Sequence, residues 1–169
     1  MMNPCEVWNS PRTETTHVYA LKNISPMENH PFGVRDDEEM EALVESIRQY
    51  GVLNPIIVRE RRHFGDNYEI VSGHRRYEAC KRLGKFDIPV IVRDLTDEEA
   101  ILTMVDINLH RERLLPSEKA FAYKMKLDAL KRQGKRTDLT SAQVAPKLST
   151  EIIAEQENTS KDTIKRYIR

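Results

Sequence analysis

Length, composition and charge already exclude several classes of protein. The chain has 169 residues, of which 39% are hydrophobic and 32% charged, so it can bury a core while exposing more charge than the roughly 25% of an average domain. Its 27 Lys and Arg balance 27 Asp and Glu, so any attraction to nucleic acid must come from local patches. The two cysteines have no metal-ligand spacing, and neither a membrane span nor a signal peptide is recognisable. These features predict a protein of the reducing, cytoplasmic compartment.

The sequence pattern divides the chain into three regions. Residues 1–16 are polar and aperiodic, which predicts a flexible arm. Residues 17–105 alternate strand and helix patterns, which predicts a small α+β unit. Residues 106–169 carry no strand signal, which predicts a helical region.

The α+β unit begins with a predicted strand in VYALKNI, followed by a helix in DDEEMEALVESIRQYG. In that helix the apolar residues recur at helical spacing, and Gly51 stands where a C-terminal cap requires a positive φ. Two short apolar runs, 55–59 and 68–71, flank a Gly-Asp-Asn turn and predict a β-hairpin. A helix over 74–83, a strand over 88–92 and a helix in DEEAILTMVDINL complete the unit.

The end of the hairpin combines a glycine with basic residues at a helix start. Gly73 lets the backbone approach a ligand closely, and the unpaired first amides of a helix favour an anion. Arg75 and Arg76 add guanidinium groups that match phosphate oxygens. Surface ion pairs with Glu78 or Asp87 are the alternative interpretation of these arginines. A second polar cluster, NLHRE at 108–112, resembles an ordinary helix C-terminus when it is considered alone.

Taken together, these segments resemble the ParB family of DNA-partition proteins. The family's two boxes appear here as GHRRYEA (73–79) and NLHRE (108–112), and GVLNPIIVR (51–59) is similar to a third family motif. The resemblance covers about residues 17–169. It implies an α+β fold, in which a small mixed sheet of the ParB and sulfiredoxin type is followed by an all-α helix-turn-helix region.

The resemblance also implies a site for CTP and Mg²⁺. The matching residues are Asn54 near the base, Gly73, His74, Arg75 and Arg76 at the triphosphate, and Asn108 and Arg111 completing the site. Asn108 is also the candidate metal ligand. His74 and Ile107 stand where CTP-hydrolysing members carry glutamate, and Asp106 points about 100° away from Ile107 on a helix. Because an isoleucine offers no oxygen to Mg²⁺, we expect slow or absent hydrolysis.

The last twenty residues, about 150–169, match the helix-turn-helix template. Ala154 is the small residue of the first helix, Asn158 the turn residue, and Ile164 and Tyr167 form the buried face of the second helix, which Ser160 caps. The candidate DNA-binding residues on its outer face are Lys161, Thr163, Lys165, Arg166 and Arg169. A helical hairpin with a solvated basic face is the alternative that the residues alone leave open.

A basic stretch over 111–136 precedes that motif. It holds nine Lys or Arg against three Asp or Glu, which is enough local charge to contact a phosphate backbone. Lys131 and Arg132 are its candidate DNA-binding residues, and a solvated helix face is the alternative. Phe121 and Met125 are expected to pack against neighbouring helices rather than to stack on bases.

The leading interpretation is a partition protein that acts as a CTP-regulated clamp on a centromere-like DNA site of a plasmid or chromosome. We expect a homodimer, located in the cytoplasm on the nucleoid or plasmid, with a partition ATPase as a further candidate partner. The sequence ends within or just after the recognition helix, so a C-terminally truncated piece of a longer protein is expected.

Two enzyme classes are the alternatives. A sulfiredoxin requires a nucleophilic cysteine at the position of Gly73. A ParB-like nuclease requires clustered metal-binding carboxylates, and incubation with plasmid DNA and Mg²⁺ would reveal its nicking activity.

Overall fold

The computed structural model describes residues 15–28, 30, 32–61, 68–109, 114–137 and 146–168. Its strands are β1 (Thr16–Ala20), β2 (Ile24–Pro26), β3 (Ile56–Glu60), β4 (Tyr68–Ser72) and β5 (Asp87–Val92). Its helices are α1 (Glu38–Tyr50), α2 (His74–Arg82), α3 (Asp97–Leu109), α4 (Pro116–Thr137), α5 (Pro146–Gln156) and α6 (Lys161–Ile168). No helix in this described part is long and apolar enough to cross a membrane.

The strands form one five-stranded mixed sheet in the order β1-β5-β3-β4-β2. β3 and β4 pair antiparallel, as the predicted hairpin requires, whereas β3 and β5 pair parallel. The edge strand β1 is antiparallel to β5, and the opposite edge strand β2 is parallel to β4. The α+β class and the mixed sheet expected from the sequence are therefore confirmed.

The two edges of this sheet are joined by a single 3-10 turn, Leu21–Asn23. The edges of a flat five-stranded sheet would lie about 19 Å apart, which is farther than a three-residue 3-10 turn can span. The sheet must therefore curl. The rings of Tyr19 on β1 and Tyr68 on β4 accordingly stack at a centroid distance of 4.5 Å. The expectation of one strand through VYALKNI is wrong, because that segment contributes a strand to each edge.

Both faces of the central strands are covered. Because side chains alternate along a strand, the fully buried neighbours Ile70 and Val71 on β4 point to opposite faces. Ile70 belongs to a sheet cluster that also includes residues of α1 and α2: Leu21, Ile24, Met40, Ile47, Ile56, Val58, Ala79, Cys80, Ile88 and Val90. Val71 belongs to a helical cluster with Met27, Phe32, Ala100, Met104, Val105, Leu109, Ala122, Tyr123, Leu127, Ile153, Ala154 and Ile164.

Local signals determine where several helices begin and end. The Asp37 carboxylate caps α1 by accepting the Met40 amide at 2.9 Å, and Gly51 ends the helix with a φ of +73°. A capping box opens α3, because the Thr96 amide donates to Glu99 while the Glu99 amide donates to the Thr96 hydroxyl.

The helical region differs from the expectation in two places. α4 continues to Thr137 instead of ending at Gly134, and the first helix of the proposed motif begins at Pro146 instead of about residue 150. A glycine costs a helix only about 1 kcal/mol, so it does not by itself end one, and proline is favoured at a first helical position. The predicted boundary between residues 105 and 106 lies inside α3, whose Met104, Val105 and Leu109 pack in the helical cluster.

Candidate functional site

The connection from β4 to α2 places a backbone of unusual conformation at the start of a helix. Gly73 is the residue before α2 and has φ +106° and ψ 24°. A Cβ at this position would lie 2.6 Å from Cγ2 of Ile56, so the site excludes any other residue without movement of β3. Glycine is therefore required for both its φ and its close approach to the neighbouring strand.

Arg76 connects α2 to the loop before β3. Its Nη1 donates to the backbone carbonyls of Asn54 and Pro55, at 2.6 and 2.7 Å. Two of the predicted site residues, Asn54 and Arg76, are thus brought together. In this arrangement Arg76 holds the loop that carries Asn54, so its role includes positioning as well as charge.

Arg75 is held by the acidic start of α1. Its guanidinium lies 3.1 Å from a carboxylate oxygen of Asp37 and 3.1 Å from one of Glu39. The ion pairing that the sequence left open is therefore present for Arg75, although not with Glu78 or Asp87. Because these carboxylates are partly or largely exposed, the pairs are weak, and a phosphate could replace them.

His74 contacts a residue that the sequence did not single out. The rings of His74 and His30 lie 3.8 Å apart between centroids, with their planes at 43°. A nitrogen of His30, Nδ1, lies 2.7 Å from the carbonyl oxygen of Phe32. His30 lies eight residues before α1 and outside the family motifs. Only the folded chain therefore reveals that it lies at the start of α2.

The second box lies at the end of α3. Asn108 is 4% exposed, and its side-chain amide donates to the Met104 carbonyl one turn earlier at 2.7 Å. Because Leu109 and Val71 share the helical cluster, this end of α3 packs on the strand that leads into Gly73. Arg111, the other predicted residue of this box, lies outside the described residues.

The residues around Asn108 do not provide an oxygen-rich site for Mg²⁺. Ile107 has no oxygen in its side chain, and the carboxylate of Asp106 lies 2.7 Å from the amino group of Lys126. Across the described ranges, no group of three His, Cys, Asp or Glu could hold a metal ion. The donors at the start of α2 fit an anion, whereas the described residues do not fit the metal.

The structure also bears on the sulfiredoxin alternative. Cys80, the cysteine that lies within the described ranges, is buried on α2, and burial raises the pKa of its thiol. A raised pKa lowers the fraction of the nucleophilic thiolate. Neither position 73 nor Cys80 therefore offers the reactive thiol of a sulfiredoxin.

The segment α5–turn–α6 has the local geometry of a helix-turn-helix. Asn158 has φ +47°, and it is the non-glycine residue with a positive φ in the described part of the chain. The Thr159 amide donates to the Ala154 carbonyl and the Asn158 amide to the Glu155 carbonyl, which is a Schellman motif. Ser160 then caps α6 by accepting the Thr163 amide at 3.1 Å.

The predicted DNA-binding residues of α6 differ in their environment. Lys161 forms an ion pair with Glu151 of α5, and the Thr163 hydroxyl lies 2.8 Å from that of Ser160. Lys165 and Arg166 are exposed on the outer face of α6. Arg169 lies outside the described residues.

The basic stretch is less continuous on α4 than its composition indicates. Lys131 and Arg132 are exposed, and Lys131 lies 3.9 Å from Asp128. Lys126, however, is 2% exposed and cannot contact a DNA backbone. Phe121 is 46% exposed, so its expected packing is wrong, whereas Met125 packs against the helical cluster as expected.

Comparison with known proteins identifies the family. A family described as ParB N-terminal domain matches residues 7–109, which include the whole sheet and α1 to α3. The chain belongs to the ParB N-terminal domain family. The family resemblance found in the sequence is thereby confirmed.

Two curated relatives of this ParB-family chain are named for chromosome partitioning and for nucleoid occlusion. A probable chromosome 1-partitioning protein ParB of Deinococcus radiodurans is 43% identical over 67% of the chain, and a nucleoid occlusion protein of Geobacillus kaustophilus is 38% identical over 66%. The chain spans 39% of the length of each.

A solved relative is the C-terminally truncated chromosome-partitioning protein ParB of Caulobacter crescentus. Its complex with CTP-γ-S has a TM-score of 0.53 and 25% identity, covering 91% of this chain and 77% of the other. Its complex with the centromeric parS site has a TM-score of 0.59 at 23% identity, covering 90% and 70%, and shows the fold alone. The helices α4 to α6 therefore belong to the shared fold together with the sheet.

Proposed function

We propose that this chain is the nucleotide- and DNA-binding part of a partition protein, and that it binds CTP at the start of α2. The observation that carries the proposal is the geometry at Gly73, where a helix begins directly after β4 with Arg75 and Arg76 in its first turn. The 25%-identical Caulobacter protein was solved with CTP-γ-S. The first backbone amides of a helix and two guanidinium groups beside them are donors for a polyphosphate.

Within this site the residues have separate roles. The first-turn amides after Gly73 and the side chains of His74 and Arg75 bind the triphosphate. Arg76 binds it while keeping the Asn54 loop in place through the carbonyls of Asn54 and Pro55. Asn108 and Arg111 complete the site from the α3 side. When CTP arrives, Arg75 exchanges its pairs with Asp37 and Glu39 for phosphate oxygens.

The DNA-binding half of the proposal rests on α5 and α6. α6 enters the major groove, Lys161 and Thr163 approach base edges, and Lys165, Arg166 and Arg169 contact bases or phosphates. Lys131 and Arg132 on α4 add phosphate contacts that do not depend on sequence. The site recognised is centromere-like, in keeping with the partitioning role named for the Deinococcus relative.

The whole protein is proposed to work as a homodimeric, CTP-regulated clamp on the nucleoid or a plasmid, with a partition ATPase as partner. Because Ile107 provides no metal ligand, hydrolysis of CTP is slow or absent and the nucleotide acts through binding.

A titration of the chain with each of the four nucleoside triphosphates tests the nucleotide half. Isothermal calorimetry with and without Mg²⁺ should detect binding of CTP. The other three nucleoside triphosphates should bind more weakly. Equal affinity for all four would mean that the site reads only the triphosphate. No heat with any of them would contradict nucleotide binding.

A further inference from the structure

A buried lysine connects the two candidate sites. The amino group of Lys126 on α4 lies 2.7 Å from a carboxylate oxygen of Asp106 on α3 and 3.1 Å from one of Glu157, in the turn between α5 and α6. The Lys126 side chain is 3% exposed and that of Glu157 10%. A single cation therefore joins three segments that are far apart in the sequence.

Stability alone does not account for this charge. Removing an ammonium group from water is costly, and a buried ion pair is seldom more stabilising than apolar side chains of the same volume. What the charge adds is a specific contact to α3 and to the turn between α5 and α6, because the ammonium group donates a hydrogen bond to Glu157 at 3.1 Å and forms an ion pair with Asp106 at 2.7 Å.

The two carboxylates lie where a small movement would affect the end of α3 and the orientation of α6. Asp106 lies two residues before Asn108, in the helix that ends with the second family box. Glu157 directly precedes Asn158, whose positive φ determines how α6 leaves α5. Tyr123, one turn before Lys126, packs on Tyr167 of α6 at a centroid distance of 5.6 Å. Burial, and then the Glu157 carboxylate, raise the pKa of Tyr123, which is consistent with Glu157 facing into this contact.

We propose that Lys126 couples the nucleotide site to the DNA-binding helices: a nucleoside triphosphate that engages the end of α3 shifts Asp106, and Lys126 transmits the shift to Glu157 and α6. This inference rests on the proposed binding of CTP at Gly73 and Asn108. Lys126 is a positioning residue, since its side chain is buried and its amino group is held by Asp106 and Glu157. By linkage, DNA held by α6 changes the affinity for nucleotide by the same factor.

Hydrogen exchange of the whole chain, with and without CTP and Mg²⁺, tests this coupling without requiring the DNA sequence. In the wild type, CTP should slow exchange of the Tyr77 amide at the start of α2. It should also slow exchange of the Thr159 amide in the turn by about fivefold or more. In Glu157→Gln, which leaves the Lys126–Asp106 pair intact, the response at Tyr77 should remain and that at Thr159 should disappear.

Lys126→Met provides a second variant, because it replaces the cation with an apolar chain of similar length and should likewise lose only the response in the turn. Lys22→Met, at an exposed position on the 3-10 turn, is the matched control and should keep both responses. If Lys126→Met does not fold, Glu157→Gln decides the question alone.

The possible failures are distinguishable. A response at Thr159 that persists in Glu157→Gln would overturn the role of the triad, as would a wild type in which CTP protects Tyr77 but leaves Thr159 unchanged. If CTP protects neither amide in the wild type, nucleotide binding itself is wrong, and the coupling is rejected with it.

Discussion

At the scale of single residues, Gly73 illustrates a limit of sequence analysis. The family box that begins at Gly73 can be identified in the sequence, but the residues that contact it in the folded chain cannot. The requirement for glycine follows from φ +106° and from the contact with Ile56 on β3. The sequence predicts a glycine at a strand-to-helix junction, but the contact depends on the pairing of β3 with β4. For the same reason the contact between the His30 and His74 rings and the carboxylates facing Arg75 could not be predicted, because each comes from a loop or helix far along the chain.

Substitution of Gly73 by alanine tests this interpretation of the junction. Gly73→Ala should lower the free energy of unfolding by about 3 kcal/mol, because it adds both a strained φ and a clash. Gly84→Ala is the matched control, since Gly84 also has a positive φ, +64°, but no atom within 4 Å of an added Cβ. Its cost should be about 1 kcal/mol. Urea unfolding measures both, and equal losses would mean that the contact with Ile56 has no energetic weight.

Ile107 allows a test of the missing metal ligand. Ile107→Glu restores a carboxylate beside Asn108, so Mg²⁺-dependent release of phosphate from CTP should rise above that of the wild type. Ile107→Gln is the control, because glutamine has nearly the same shape as glutamate but carries no charge. Rapid turnover by the unmodified chain would instead show that another residue holds the metal.

At the scale of secondary structure, periodicity predicted most elements and failed where tertiary contacts decide. The helix α1, the hairpin strands and β5 follow from apolar spacing and from capping residues. The break between β1 and β2 could not be predicted, because VYALKNI contains neither glycine nor proline and the break is imposed by closure of the sheet. The charge count over 111–136 includes Lys126 for a similar reason, since such a count does not reveal which lysine faces a buried carboxylate.

α4 is proposed to contact phosphates and α6 to contact base edges, and this difference gives a prediction at this scale. Replacing Lys131 and Arg132 by alanine should weaken binding to all DNA duplexes alike and reduce the salt slope by about 0.9 for each lost phosphate contact. Lys161→Ala with Thr163→Ala should instead reduce the preference for cognate over random DNA.

Because Lys161 pairs with Glu151 and Thr163 with Ser160, the second double variant needs a structural control. Ser160→Ala removes the cap of α6 while leaving its outer face unchanged, and it should cost about 1 kcal/mol of stability. Fluorescence anisotropy over a range of salt concentrations gives the affinities for cognate and for random DNA. A preference for cognate DNA that survives the Lys161 and Thr163 substitutions would assign base recognition to another element.

At the scale of the whole molecule, the sheet and the helical region form two apolar clusters that meet across β3 and β4. α3 belongs structurally to the helical cluster and its last residues begin the second family box, so this helix links the proposed nucleotide site to the helical region. The family boxes alone predicted the fold class and the order of these parts. They did not predict that the end of α3, α4 and the α5–α6 turn share an ion-pair triad around the buried Lys126, because that contact depends on how the helices pack.

The central claim is that the start of α2 is the binding site of CTP, and calorimetric titration of Arg75→Ala beside Arg82→Ala tests it most directly. Both arginines lie on α2 in ion pairs with the segment around the start of α1, Arg75 with Asp37 and Glu39, and Arg82 with Asp36 at 2.7 Å. Only Arg75 lies in the first turn after Gly73. Loss of a charge-assisted contact worth about 1.5–3 kcal/mol should raise the Kd for CTP at least about tenfold in Arg75→Ala. The Kd of Arg82→Ala should equal that of the wild type. The same Kd in both variants, whether unchanged or equally raised, would contradict the assignment of this site.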